Sequence, residues 1–352
     1  MTSLIDHSVL LLIHRLPTLT GKVLIVADEN WARVDWSTFK AIKHCSINVI
    51  SNRFDVAESA RAEGVNCQFN DFDLTETESH SFDYVLYRVS KERSTTHHVI
   101  NAACRVLKLH GKLLITGAKN NGFKSYLKRA GNLFGEAAYA KKNGEHYLAS
   151  VTLHDADRNW LNDKSYQRVR PTEALDGQYH SKPGIFGWDQ IDQGSAFLVT
   201  HLEEFLGAYE QSPHSLLDLG CGYGFLACEA RQFNFQHITG TDNNAAALIA
   251  CRANFARHLR TPNNVIVADA GAGIEQRFDT ILCNPPFHRG FKADPQLGTK
   301  FLSATQRLLT PSGRALFVVN QFISLEREAN HYFNTAEVLA SNRSYKLIVL
   351  RQ

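Results

Sequence analysis

The stretch SLLDLGCGYGFLACEA, Ser215 to Ala230, reads as a buried strand, a glycine-rich turn and the opening of a helix. Gly220, Gly222 and Gly224 occupy the turn, where glycine permits unusual φ angles and lets a ligand approach the backbone closely. A strand that feeds a helix in this way is the unit of an open α/β sheet, which binds ligands at the carboxyl ends of its strands. Downstream, strand-like runs recur as HITGTD (237–242), NVIVAD (264–269), FDTILC (278–283) and RALFVV (314–319). Upstream they are KVLIVAD (22–28), INVIS (47–51), FDYVLY (82–87) and KLLITGA (112–118). Helical patterns such as AAALIACRANFARHL lie between them, and this alternation predicts parallel sheets covered on both faces.

The two halves share one grammar. SFDYVLYRVSKER (81–93) parallels RFDTILCNPPFHR (277–289), and INAACRVLKLHGKLLITGAKN (100–120) parallels LSATQRLLTPSGRALFVVNQ (302–321). In each pair a helix is expected to end at Gly111 or Gly313, with a strand after it. A repeat of roughly 195 residues is a domain duplication. The polar, irregular stretch 155–185 separates the copies, giving expected domains 1–160 and 161–352. The glycine turn and the Asn-Pro-Pro-Phe run of the second copy have no counterpart in the first.

Composition sets outer bounds. The chain has 352 residues, 44% hydrophobic and 21% charged, which is ordinary globular usage. No apolar run approaches the ~18–20 residues of a membrane span, and SVLLLI (8–13) follows acidic Asp6 without a cleavage pattern, so no signal peptide is expected. The seven cysteines form no CxxC pair, which points to a reduced, cytoplasmic protein without a metal site. The net charge of +3 is uneven: +5 over residues 1–170 and −2 over 171–352. Between 105 and 142 nine basic residues face one acid, Glu136, with Phe123, Tyr126, Phe134 and Tyr139 interleaved. Such a stretch can track a phosphate backbone, or it can be a solvated helix face.

The strand ends carry the chemistry. Asp242 ends the strand after the glycine turn, where a carboxylate can accept from both hydroxyls of a ribose; it can equally cap the helix that follows. Asp269, with Ala270 after it, ends the third strand and could accept from an adenine amino group. A glycine turn with an acid fits a nicotinamide cofactor as well as S-adenosylmethionine. The fourth strand end favours the methyl donor. There Asn284, Pro285, Pro286 and Phe287 follow the buried run Ile281-Leu282-Cys283. The lone pair of a base's exocyclic amine is delocalised into the ring. Two acceptors holding its N–H bonds, the Asn284 side-chain oxygen and the Pro285 carbonyl, would fix its direction and favour rehybridisation. The prolines have fixed φ and keep those acceptors pre-organised. Phe287 offers a face for the base, worth about 1–3 kcal/mol of stacking. The competing reading makes Asn-Pro-Pro a turn with Phe287 packed in the core. Cys283 is expected to pack within its strand.

At these residues the sequence resembles a class I S-adenosylmethionine-dependent methyltransferase. More narrowly it is similar to the ribosomal RNA small subunit methyltransferase C family, on DLGCGYG, GTD, VAD and CNPPFH together with SKPGIFGWDQIDQGS (181–195). The resemblance implies two tandem Rossmann-like class I methyltransferase domains, an α/β duplication with a degenerate N-terminal copy that supports RNA binding and a catalytic C-terminal copy. It implies methylation of a guanosine N2 in 16S rRNA, with the 30S subunit or an assembly intermediate as partner, no membrane, no metal, and a monomer. It carries donor binding onto Asp218, Gly220, Gly222, Gly224, Asp242, Asp269 and Ala270, amino-group positioning onto Asn284, Pro285 and Pro286, and base stacking onto Phe287. Phe186 and Asp192 border the donor pocket, as packing, capping or contact residues. The large-subunit sister family, a protein-glutamine or DNA-adenine methyltransferase, and a non-catalytic RNA-binding assembly factor remain alternatives at this point.

Overall fold

A computed structural model describes residues 5–154, 159–172, 176–286, 288–289, 292–293 and 295–352. The chain divides into two compact units, Met1–Arg168 and Val169–Gln352. The division falls beyond residue 160 because the next segment folds onto the first unit. Asn101 exchanges two 2.9 Å hydrogen bonds with the Leu161 backbone, the Asn162 carbonyl meets His97 at 2.7 Å, and the Tyr166 hydroxyl donates to Asp71 at 2.7 Å.

Each unit is built on a seven-stranded sheet of the same order. In the first unit the strands run Asn66–Phe69, Cys45–Ser51, Gly21–Ala27, Phe82–Arg88, Leu107–Ala118, His146–Thr152, Ala140–Asn143. In the second they run Asn263–Val267, His237–Asp242, Ser215–Leu219, Phe278–Cys283, Leu309–Asn320, Tyr345–Arg351, Thr335–Ser341. The central strands bury both faces, which explains continuous apolar runs such as Val23 to Ala27 and Ile281 to Cys283. Helices cover them; Ala245–His258 places Ala246, Ala250, Cys251 and Phe255 against the sheet at helical spacing.

The duplication stands, and the expectation of wholly parallel sheets is corrected at one edge. Five strands are parallel in each unit, but the last two form an antiparallel hairpin. A hairpin needs no crossover helix, so the strand–helix rhythm that revealed the other strands falls silent there. The half-exposed Thr335–Ser341 and the polar Ala140–Asn143 also lack an apolar run.

The two glycines mark a different feature from the one expected. The helices end at Val106 and Leu308, and Gly111 and Gly313 lie inside the strands that follow. Register jumps from Phe82↔Leu107 to Tyr84↔Lys112 in one copy, and from Phe278↔Leu309 to Thr280↔Arg314 in the other. Each glycine sits in the looped-out backbone of this bulge. A Cβ would lie 2.9 Å from the Lys108 carbonyl at Gly111 and 2.8 Å from Thr310 Oγ1 at Gly313.

The basic stretch also changes character. Helix Phe123–Phe134 turns Phe123, Tyr126 and Phe134 inward, so only Tyr139 of the interleaved rings is exposed. Arg105 caps the Leu74 and Thr77 carbonyls, Lys108 pairs with Asp83, and Arg129 meets His97. Lys112, Lys119, Lys124, Lys128, Lys141 and Lys142 remain exposed. Among the described residues no helix is long and apolar enough to cross a membrane.

Candidate active site

The glycine turn leaves strand Ser215–Leu219 with all three glycines in the left-handed region, at φ +80°, +54° and +86°. Their surroundings differ. At Gly224, which starts helix Phe225–Glu229, a Cβ would lie 3.0 Å from Cys251 Sγ and from Phe255 Cε1, so packing excludes a side chain. At Gly222 a Cβ would meet nothing within 4 Å, which leaves its backbone open to a ligand. The Gly220 and Cys221 N–H groups both donate to the Thr241 carbonyl, tying the turn to the neighbouring strand.

Asp242 holds this turn from the next strand end. Its carboxylate accepts from the Gly222 N–H at 3.0 Å and the Asn244 N–H at 2.8 Å. The helix cap proposed for it is supplied by Asn244, which accepts from the Ala246 N–H. Asp269 ion-pairs with Lys300 and lies 3.4 Å from the Asn243 amide. Ala270 follows at φ +48°, and both residues line a cavity of about 470 Å³ shared with Lys300, Ile274 and Arg307.

Asp218 is almost fully buried. One oxygen accepts from the Ala227 N–H at 3.1 Å, and Oδ1 has no partner among the described residues. An unmet buried acceptor costs roughly 1–3 kcal/mol, so this atom suits a ligand N–H or a trapped water. Burial pushes its carboxyl up to about 7; the Ala227 N–H opposes the shift and the Asp242 charge adds to it. A carboxyl raised in the folded state stabilises the fold fully below its unfolded value near 3.8, and that contribution is lost as pH rises through about 7. The Asp218 contribution to the melting temperature should therefore fall as pH rises between these limits. In Asp218→Asn the slope should flatten, as calorimetric melts across pH 4 to 8 would show.

One strand over, Asn284 follows Cys283. The register Asp218↔Leu282 places it level with Gly220 on the adjacent strand. Its Nδ2 donates to Asp192 Oδ2 at 2.8 Å and to Ser195 Oγ at 2.9 Å. Asp192 also caps helix Gln193–Val199 by accepting from the Ser195 N–H at 2.8 Å. Because a carboxylate only accepts, the amide nitrogen must face Asp192. The Asn284 oxygen is then turned away from that pair. Pro285 is buried and Pro286 exposed. Phe287 lies outside the described residues. Cys283 is fully buried and burial pushes its thiol up, in keeping with packing. Phe186, one of the candidate packing residues, is 82% exposed.

Sequence reasoning missed Ser195 and Lys300. Neither sits at a strand end, and each reaches the site from a helix, at 89 and 31 positions from its partner. Among the described residues no cluster of histidine, cysteine or carboxylate side chains could hold a metal.

The strand register equates Arg88 of the first unit with Asn284, Ala27 to Glu29 with the glycine turn, Ser51 with Asp242 and Asp71 with Asp269. There Arg88, 2% exposed, pairs with Asp6 at 3.2 Å, and Tyr166 occupies Asp71. Asp28 stands in the turn, buried, and burial with the nearby Glu29 charge pushes its carboxyl up. The ground open in one copy is filled by side chains in the other.

The family model described as Methyltransferase small domain matches residues 176–349, and Methyltransferase small domain N-terminal matches 9–142. Ribosomal RNA small subunit methyltransferase C of Shewanella loihica is 26% identical over 315 residues, 89% of each chain. Its namesake in Shewanella amazonensis is 27% identical over 317 residues, 87% of this chain and 88% of that one. A T. thermophilus 16S rRNA N2 methyltransferase, solved in complex with AdoMet and guanosine, covers 96% of this chain and 91% of its own at TM-score 0.79 and 21% identity. At that identity the likeness speaks to the fold.

Proposed function

Because the chain belongs to the methyltransferase small domain family and carries that family's N-terminal domain ahead of it, we propose that it methylates the exocyclic N2 of a guanosine in 16S rRNA, using S-adenosylmethionine. The observation that carries this reading is the Asn284 amide, whose two N–H bonds are taken by Asp192 and Ser195. Its oxygen is thereby presented at a strand end, level with the glycine turn. The names of the relatives supply the nucleic acid and the atom.

The residues fit a sulfonium nucleoside donor. Gly222 is open to it, Asp218 Oδ1 lacks a partner among the described residues, and Asp242 and Asp269 stand at successive strand ends. The donor supplies an electrophilic methyl carbon. This chain's part is alignment and local electrostatics. The Asn284 oxygen and the Pro285 carbonyl accept the two N–H bonds of guanine N2, so its lone pair points along the line of attack. Attack by N2 on the methyl carbon would leave the electron pair of the carbon–sulfur bond on sulfur. The proton would pass from N2 to solvent water afterwards, so no strong base is required and an amide serves better than a carboxylate. Phe287 is proposed to stack beneath the base. The guanine must leave its stack at a cost of a few kcal/mol, which contacts with folded RNA offset.

Those contacts fall to the exposed lysines of the first unit. Replacing Lys124, Lys128, Lys141 and Lys142 by Gln should weaken RNA binding and flatten its salt dependence by about 0.7–0.9 log units for each lost phosphate contact. Filter binding across a salt series would measure this; an unchanged slope would make these lysines ordinary surface. The proposed activity itself is tested by nucleoside analysis of small-subunit rRNA from cells lacking the protein, which should lack one N2-methylguanosine.

A further inference from the structure

We propose that Asp192 and Ser195 are positioning residues of the methyl transfer, which fix the Asn284 amide so that its oxygen and not its nitrogen meets the acceptor amine. The inference rests on the reading that Asn284 receives that amine. An amide has nearly the same shape in its two flipped orientations. Only one orientation offers an acceptor to an N–H bond. The other aims an NH2 group at an amine and stops alignment.

Two atoms decide between them. Asp192 Oδ2 and Ser195 Oγ lie 2.8 and 2.9 Å from Asn284 Nδ2, one for each amide hydrogen. Asp192 is itself held, because its carboxylate accepts from the Ser195 N–H at the head of helix Gln193–Val199. The neighbouring Gly194 admits the Tyr345 ring, which would lie 3.1 Å from any Cβ there. A negative carboxylate on the nitrogen side also polarises the amide and strengthens its oxygen as an acceptor.

The duplication separates fold from chemistry at this spot. IDHSV (5–9) heads helix His7–Ile13 as IDQGS (191–195) heads Gln193–Val199. Asp6 caps its helix by accepting from the Val9 N–H and grips Arg88, the counterpart of Asn284. The capping aspartate is therefore common to both copies and serves the fold. The hydroxyl is not: Val9 stands where Ser195 stands, so this helix position needs none. Ser195 accompanies Asn284, and the copy with arginine lacks it.

The test is steady-state methylation of 30S particles by full-length variants, with donor affinity measured separately by calorimetry. Ser195→Ala should lower kcat about 10-fold, and Asp192→Ala about 100-fold. The RNA KM, the donor Kd and, for Ser195→Ala, the melting temperature should stay near wild type. Ser195→Thr and Asp192→Asn, which keep an acceptor, should recover most of the rate. Should Asn284→Ala abolish turnover while both alanine variants keep kcat within twofold of wild type, the positioning role is overturned and the reading of Asn284 survives. Should Asn284→Ala also turn over normally, the reading itself fails. A rate loss that comes with matching losses in donor affinity and melting temperature, unrescued by the conservative variants, would make the pair structural and overturn the proposal.

Discussion

Asn284→Ala should reduce turnover by ~10²-fold or more, on the scale of removing a pre-organised polar group that acts on the transition state, while the donor Kd moves little. The separation follows from geometry. Asn284 is one strand away from the glycine turn and bonds Asp192 and Ser195, with no hydrogen bond to Asp218, Asp242 or Asp269 among the described residues. Asn284→Asp is the sharper variant. It keeps the size and the acceptor oxygen but places two carboxylates at the 2.8 Å contact with Asp192. Like charges at that distance repel, which raises the proton affinity of one carboxyl above the ordinary range. The variant should be at least as impaired as alanine at neutral pH and should regain part of its rate as pH falls and one carboxyl takes a proton. Rapid-quench single-turnover assays across pH would show it; a pH-independent, wild-type-like Asn284→Asp would take the amide orientation out of the mechanism.

Asp242→Ala should weaken donor binding by about 10²- to 10⁴-fold, since two or so charge-assisted hydrogen bonds are lost at roughly 1.5–3 kcal/mol each. Two roles meet in this side chain. It accepts the Gly222 and Asn244 N–H groups, which shapes the turn and the entry to helix Ala245–His258. The same carboxylate is the proposed acceptor for the donor's ribose hydroxyls. The helix keeps its cap in Asn244, so the variant should stay folded and approach wild-type kcat at saturating donor. Calorimetric titration with S-adenosylhomocysteine would measure the loss. An unchanged Kd would move the ribose elsewhere.

Much of this was legible in the sequence, for identifiable reasons. Parallel strands buried on both faces write long apolar runs, and the runs ending at Ala27, Leu219 and Cys283 gave away the central sheet and its duplication. Turn chemistry at Gly220, Gly222 and Gly224 is local, so sequence shows it directly. The Asn-Pro-Pro run could be read because prolines and an amide are foreign to a strand interior. Long-range polar pairing is different. The Asn284–Asp192 bond spans 92 positions and the Asp269–Lys300 pair 31, and no local pattern encodes either. Asp192 reads from the sequence as a packing, capping or contact residue; its bond to Asn284 exists only in the fold. The same limit hid the plugging of the first copy. The equation of Arg88 with Asn284 follows from the repeat, but the pairing of Arg88 with Asp6 and of Tyr166 with Asp71 is tertiary. In the basic stretch Phe123, Tyr126 and Phe134 recur at core spacing, which assigns these rings to the buried face of the helix and leaves the lysines on the other.

A fixed amide oxygen beside the glycine turn is proposed to select a guanine amine in small-subunit RNA. Methyl-labelled donor, the purified protein, and separate 30S, 50S, release-factor and duplex-DNA substrates would test it in one experiment, with digested nucleosides resolved by mass spectrometry. Label is expected in 30S RNA alone, recovered as N2-methylguanosine and absent with Asn284→Ala. Label recovered as N6-methyladenosine, in 50S RNA or in protein would contradict it.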